Sequence, residues 1–154
     1  MTTLRAGLFL FLFGCILLPF SGTRAISPEA KQVAIDHVRQ AIEFAKSHGK
    51  DAAIAEANKG KFKDGEVYVT IYDLDGKCLA HPTKPALVGS NLMSVKDPDG
   101  VAYVKDRTEL VKAKGSGWVS YKFPNPVSKK LEKKESYAEL WDGLIFSAGA
   151  YEKK

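Results

Sequence analysis

Two Asp-Gly pairs limit what this chain can fold into more than any other feature. Asp75-Gly76 follows the β-branched and aromatic run Val67 to Tyr72 and precedes Lys77 to His81, and Asp142-Gly143 separates Ser136–Trp141 from Leu144–Tyr151. A two-residue hairpin turn needs positive φ at its centre, which Asp and Gly tolerate, and its twist matches that of two antiparallel neighbours. Residues 66–72 therefore pair with 77–81, and 136–141 with 144–151. A further strand is expected over 117–123, ended by Pro124-Asn125-Pro126. A sheet built from hairpins is antiparallel and leaves its helices segregated from it, so the fold class is α+β with about five strands.

Alternation assigns faces within these strands. Tyr68, Thr70 and Tyr72 share one face, and Val67, Val69 and Ile71 the other. Trp118 and Tyr121 fall on opposite faces of their strand, so both line one pocket only if a bulge intervenes.

The helices are read from their ends. Ser27-Pro28-Glu29 supplies an N-cap hydroxyl, a proline at the first helical position and an acid at the positive end of the dipole. Ala30, Val33, Ala34, His37, Val38, Ala41, Ile42 and Ala45 then recur at helical spacing. Gly49 ends this long helix, and His48 beside it suits the helix C-terminus. Lying on the apolar stripe, His37 is read as packing. Asp51 is expected to cap a short helix over 52–58, and a third helix spans 101–114, with Val101, Val104, Thr108 and Val111 on one face and Gly115 as its stop. Residues 82–100, with three prolines and two glycines, read as a loop.

The first 25 residues have the form of a secretory leader. Arg5 precedes an apolar run of about fifteen residues, shorter than the ~20 needed to span a bilayer, and Ser21-Gly22-Thr23-Arg24-Ala25 offers small residues for cleavage after Ala25. Lipidation at Cys15 is the alternative, but Phe13 is bulky for such a site and Ile16 to Phe20 would leave an apolar stretch behind it. The expected product is one domain over 26–154, periplasmic or secreted. It retains one cysteine, Cys78, so an apolar core rather than a disulfide must hold it. Loss of Arg5 and Arg24 lowers the formal charge from +5 to +3. The lysines are scattered, without the basic stripe and interleaved aromatics of a nucleic-acid surface.

Asp73-x-Asp75-Gly76 and Asp97-x-Asp99-Gly100 look like calcium loops, but the first runs on into Ala80, His81 and Pro82 where further oxygen ligands belong. They are read as a hairpin turn and as a loop with a helix cap. No metal site, haem motif or cofactor is expected. No nucleophile turn of the Gly-x-Ser-x-Gly kind is present, and no enzyme is expected.

One family brings these pieces together. Phe62-x-x-Gly65-x-x-Tyr68-Val69, Tyr72-Asp73-Leu74-Asp75-Gly76-Lys77, Ala80-His81-Pro82, Leu87 to Leu92 and Lys96 to Gly100 are similar in order and spacing to the single Cache domain of the second type. Gly115 to Tyr121, Asn125-Pro126, Lys134-x-x-Tyr137 and Gly149-x-Tyr151 continue the likeness to the end of the chain. The resemblance implies a PAS-like fold, with a long N-terminal helix on one face of the sheet and, on the other, a pocket for a small organic anion such as acetate, propionate, pyruvate or lactate. It implies candidate ligand-binding residues at Tyr68, Tyr72, His81, Trp118, Tyr121, Lys134 and Tyr137. Such domains feed chemoreceptors and sensor kinases. With a cleavable leader and nothing after Lys154, this chain is expected to be a free-standing version, with a membrane receptor or sensor kinase as partner. A second expectation is an interaction subunit of such a sensor with a vestigial pocket.

Overall fold

In a computed structural model the described residues are 25–152. The leader, its cleavage after Ala25 and the lipidation alternative at Cys15 concern residues outside that range, apart from Ala25 itself.

Helix α1 (Pro28–His48) starts where its cap predicts: the Ser27 hydroxyl accepts from the Ala30 amide at 3.2 Å. Gly49, at φ 87°, ends α1 and directly precedes α2 (Lys50–Asn58). Asp51 thus lies inside the first turn of α2 and caps nothing, because the positive-φ glycine already breaks the chain between the helices. The buried stripe of α1 is Ala34, Val38, Ala41, Ile42 and Ala45. Val33 falls off it, 39% exposed. The His37 imidazole Nδ1 lies 2.8 Å from the Val33 carbonyl, and the His48 ring stacks on Phe44 at 4.1 Å.

The strand expected over 66–72 is interrupted. β1 (Lys63–Asp64) pairs with β2 (Val67–Tyr68) in a small ribbon, and β3 (Thr70–Asp73) belongs to the main sheet. β3 turns through Asp75-Gly76 into β4 (Cys78–Ala80); a short 3₁₀ turn, Pro85–Leu87, interrupts the loop that follows. Then come α3 (Tyr103–Lys114), β5 (Ser116–Pro124), β6 (Leu131–Trp141) and β7 (Leu144–Tyr151). The five-stranded antiparallel sheet has the order β4-β3-β7-β6-β5. Part of the loop covers the free edge of β4: Ser90 and Gly89 exchange backbone hydrogen bonds with Cys78. That removes an open sheet edge.

Asp97 does not cap α3. Its Oδ1 accepts from the Asp99 and Val101 amides and its Oδ2 from the Lys122 amide at 2.7 Å, pinning the loop to edge strand β5. α3 instead begins after Ala102, with no side-chain cap. Asp73 likewise spends its Oδ1 on the Asp75 and Lys77 amides. Both carboxylates serve loop geometry.

The sheet separates two cores. Ala34, Val38, Ile42 and Ala45 of α1 pack with Val69, Ile71, Phe146 and Ala148 on one face. Val104 and Val111 of α3 pack with Tyr72, Val119, Tyr121 and Ile145 on the other. The period of two puts Lys134, Ser136 and Ala138 of β6 on the α3 side, and Glu135, Tyr137 and Glu139 on the α1 side. Among the described residues no helix is long and apolar enough to cross a membrane.

Candidate functional site

The α3 side of the sheet holds an enclosed polar cavity. Tyr68, Thr70, Tyr72, His81, Tyr121 and Lys134 line it, together with Tyr103, Phe123, Ser136, Ser147 and Ala148. Its volume is about 10 Å³, room for roughly one water molecule. A wider groove of about 580 Å³, lined by Met93, Lys96 and Lys105 among others, opens at the start of α3 but contains no buried basic residue.

Lys134 is the central group. It is 2% exposed, and its Nζ stands 4.0 Å from the Tyr68 ring centroid, 4.7 Å from that of Tyr151 and 5.6 Å from that of Phe123. Aromatic faces attract a desolvated cation, yet no carboxylate forms a salt bridge with it among the described residues. Burial, then the charge of Arg107, press its pKa well below the usual lysine range, and Glu66 only partly opposes them. The backbone makes room for this side chain at Gly149, where a Cβ would lie 2.8 Å from Lys134 Cε and 2.6 Å from the Glu135 carbonyl oxygen. Such approaches are closer than real Cβ atoms make.

His81 follows β4 and is 2% exposed. Its ring lies between Tyr68, at 5.4 Å, and Phe123, at 5.8 Å. Burial, and then the charges of Lys134, Arg107 and Lys84, push its pKa down to about 3, so it is neutral at physiological pH. The Asn58 side chain fixes its backbone by accepting from the His81 amide at 3.1 Å.

The hydroxyls form two chains. Tyr151 donates to the Pro124 carbonyl at 3.0 Å, and its oxygen lies 3.4 Å from that of Tyr68. Arg107 Nη2 donates to the Tyr121 hydroxyl at 3.1 Å, and Ser136 Oγ is 3.0 Å from the same oxygen. Burial raises the Tyr68 pKa to about 12 and lifts that of Tyr72 still further, so both stay protonated donors.

Five of the seven candidate residues meet at this cavity: Tyr68, Tyr72, His81, Tyr121 and Lys134. Trp118 and Tyr137 do not. They are direct partners in the β5–β6 ladder and face α1, where Lys31 Nζ lies 5.2 Å over the Trp118 ring and Tyr137 donates to Glu139 at 2.9 Å. The reason is parity. No bulge interrupts β5 and β6, so Trp118 cannot join Tyr121, nor Tyr137 join Lys134, across an odd spacing.

Arg107 was not among the candidates. It is 1% exposed, lies 5.2 Å over the Tyr72 ring, and has two guanidinium nitrogens, Nε and Nη1, without a hydrogen-bond partner. Its signal was in the sequence: with Val104, Thr108 and Val111 it completes the i, i+3, i+4, i+7 stripe of α3. A charge on an apolar stripe marks a buried ionic role.

The cavity thus presents one buried lysine, phenolic and serine hydroxyls and aromatic walls, with Arg107 held against two of those walls, Tyr72 and Tyr121, and among the described residues no carboxylate bridged to Lys134. Neither cation is a metal ligand, and no group of three or more His, Cys, Asp or Glu side chains lies together among the described residues. The arrangement suits a compact anion held by charge-assisted hydrogen bonds.

The Cache-domain family profile matches residues 28–153. The chain belongs to the Cache-domain family. Among curated relatives, the methyl-accepting chemotaxis protein McpP of Pseudomonas putida is 33% identical over 90 residues, covering 57% of this chain and 16% of McpP. The sensor histidine kinase MctS of Rhizobium johnstonii is 33% identical over 92 residues, covering 58% of this chain and 19% of MctS. The match therefore spans less than a fifth of either protein. Among solved structures, a Cache chemosensory domain described for its carboxylic acid recognition is 34% identical, with a TM-score of 0.61 over 80% of this chain and 86% of that one. The periplasmic sensor domain of a chemotaxis protein gives 27% identity and a TM-score of 0.64, over 78% and 88% of the two chains. The fold is that of Cache and PAS-like sensor domains.

Proposed function

We propose that this chain is an extracytoplasmic sensing module whose cavity binds a short-chain organic acid in the class of acetate, propionate, pyruvate or lactate. One observation carries the reading: Lys134 is buried, with Arg107 near enough to act on its charge and, among the described residues, no carboxylate paired to it. An unpaired buried cation is costly, and an incoming carboxylate supplies the missing charge. The solved relative described for carboxylic acid recognition supports the same ligand class. The cavity has room for about one water, so seating an acid there requires its lining side chains to move apart.

Export with cleavage after Ala25, and a membrane receptor or sensor kinase as partner, belong to the same proposal. The mass of the secreted product identifies the processed N-terminus. A diacylated Cys15 would replace cleavage after Ala25.

Thermal-shift and calorimetric titration with two- to four-carbon carboxylates tests the ligand class. A ligand at a hundredfold excess over its Kd adds about 2.7 kcal/mol to apparent stability. If no acid of this size stabilises a folded sample, the carboxylate reading is refuted. The near absence of free volume favours the second reading in that case: a sensor's interaction subunit whose pocket is filled by its own side chains. Capture of a receptor or kinase from membranes, undiminished by Lys134→Met, would be its signature.

A further inference from the structure

The enclosed cavity lies against a second, open feature. A groove of about 460 Å³ is lined by Lys63, Lys84 and Lys129, with Pro82, Pro124 and Asn125 among its other walls. Each main wall continues a cavity residue. Lys63 is the cross-strand partner of Tyr68, Pro82 follows His81, and Pro124 follows Phe123. The His81 and Phe123 rings, stacked at 5.8 Å in the cavity wall, adjoin Pro82 and Pro124 of the groove, and Lys84 Nζ lies 5.7 Å from the Phe123 centroid. On its other sides the cavity is closed by the sheet and by residues of α3.

The groove's own lining carries three lysines and no carboxylate. None of the three lysines pairs with a carboxylate among the described residues, and only Lys129 has another partner, the Pro126 carbonyl at 2.6 Å. The carboxylates that touch its wall, Glu66 and Glu132, both accept from Asn125. Three ammonium groups without a carboxylate partner among the described residues, set around a concave surface, focus field and raise the local concentration of small anions. The rim is also the part of the wall with least regular structure: 82–84 and 125–130 are turns and loops.

We propose that the Lys63–Lys84–Lys129 groove is the vestibule through which small organic anions are captured and delivered to the buried cavity, with the His81–Phe123 layer as its gate. The delivery step rests on the carboxylate reading of the cavity; the capture step does not. Anions collect at the lysines in fast, weak, salt-sensitive equilibrium. They pass inward when the Pro82–Lys84 segment moves apart from the 124–129 turn.

Amide chemical shifts during titration with propionate separate the two steps. In the unmodified chain, Thr83 and Lys129 report the groove, and Ser136 and Ser147 the cavity; all four are expected to move. In Lys134→Met the groove pair still moves and the cavity pair does not. In the triple variant Lys63→Gln, Lys84→Gln, Lys129→Gln the groove shifts vanish and the cavity shifts persist, with association roughly tenfold slower at low ionic strength. At about 0.5 M NaCl its association matches that of the unmodified chain. Movement of Thr83 and Lys129 with silence at Ser136 and Ser147 in the unmodified chain supports capture while refuting the cavity reading. Silence at Thr83 and Lys129, or an unchanged association rate in the triple variant at low salt, overturns the vestibule.

Discussion

His81 ties the stability of this domain to pH in a way that can be worked out from its surroundings. The imidazole is buried between two aromatic rings, with Lys134, Arg107 and Lys84 near enough to oppose a further positive charge, and its pKa is held down to about 3. In the unfolded chain it returns to about 6.5. The folded pKa is the lower one, so below pH 6.5 the unfolded state binds a proton that the folded state refuses, and stability falls as pH falls. Between pH 6.5 and about 4.5 the folded histidine remains neutral. The loss is about 1.36 kcal/mol for each of those two pH units, about 2.7 kcal/mol in all. That is a large share of the 5–15 kcal/mol typical of a domain. Urea denaturation at pH 7.5 and 4.5, followed by tryptophan fluorescence, measures the loss, and His81→Phe isolates it. Asp97 also loses stabilisation toward acid: burial disfavours its charge, but the Lys122, Val101 and Asp99 amides hold its pKa below the usual range. That contribution is common to both proteins and cancels in the comparison. The unmodified chain is expected to lose roughly 2–3 kcal/mol more than His81→Phe between the two pH values. Equal losses would falsify the assignment of a buried neutral imidazole.

Three further outcomes follow from the same geometry. Lys134→Met removes an uncompensated buried charge while keeping an unbranched stem, so its urea midpoint rises and its response to carboxylates disappears. Gly149→Ala drives a methyl into the Glu135 carbonyl and Lys134 Cε; overpacking of this kind costs about 1–3 kcal/mol and the same denaturation assay reads it. Ser27→Ala deletes the hydroxyl that accepts from the Ala30 amide, lowering stability by about 1 kcal/mol with carboxylate binding unchanged by calorimetry.

Elements with chemically marked ends were legible in the sequence. α1 begins at Ser27-Pro28 and ends at Gly49, α3 ends at Gly115, and both Asp-Gly pairs turn where expected. What escaped reading lies where composition disguises periodicity. β6 begins at Leu131, five residues before the point inferred, because Lys129-Lys130-Leu131-Glu132-Lys133-Lys134-Glu135 resembles a solvated turn. Once 131–141 is one strand, Lys134 and Tyr137 necessarily point to opposite faces, and Tyr121 stands directly across the ladder from Lys134. The same disguise hid Arg107, a charge occupying an apolar position of α3. In both cases the misleading residue is a buried cation of the site. Local pattern reasoning fails where a charged residue occupies a core position.

That failure shows how the cavity keeps itself closed. Lys134 Nζ lies over aromatic faces, principally Tyr68 at 4.0 Å and Tyr151 at 4.7 Å. A desolvated cation–π contact contributes about 2 kcal/mol. A carboxylate in the same low-dielectric space offers a charge-assisted hydrogen bond of about 1.5–3 kcal/mol and neutralises the buried charge as well. A neutral molecule of equal shape offers no such neutralisation, so it has little with which to draw Lys134 off the rings. On the proposed carboxylate reading, the cavity would select charge before size. Lys134 and Tyr151 are also direct partners across β6 and β7, so on the proposed reading an acid that drew Lys134 off the rings would disturb a side chain packed on the last strand of the sheet. Occupancy of the cavity and the packing of β7 would then be parts of one equilibrium.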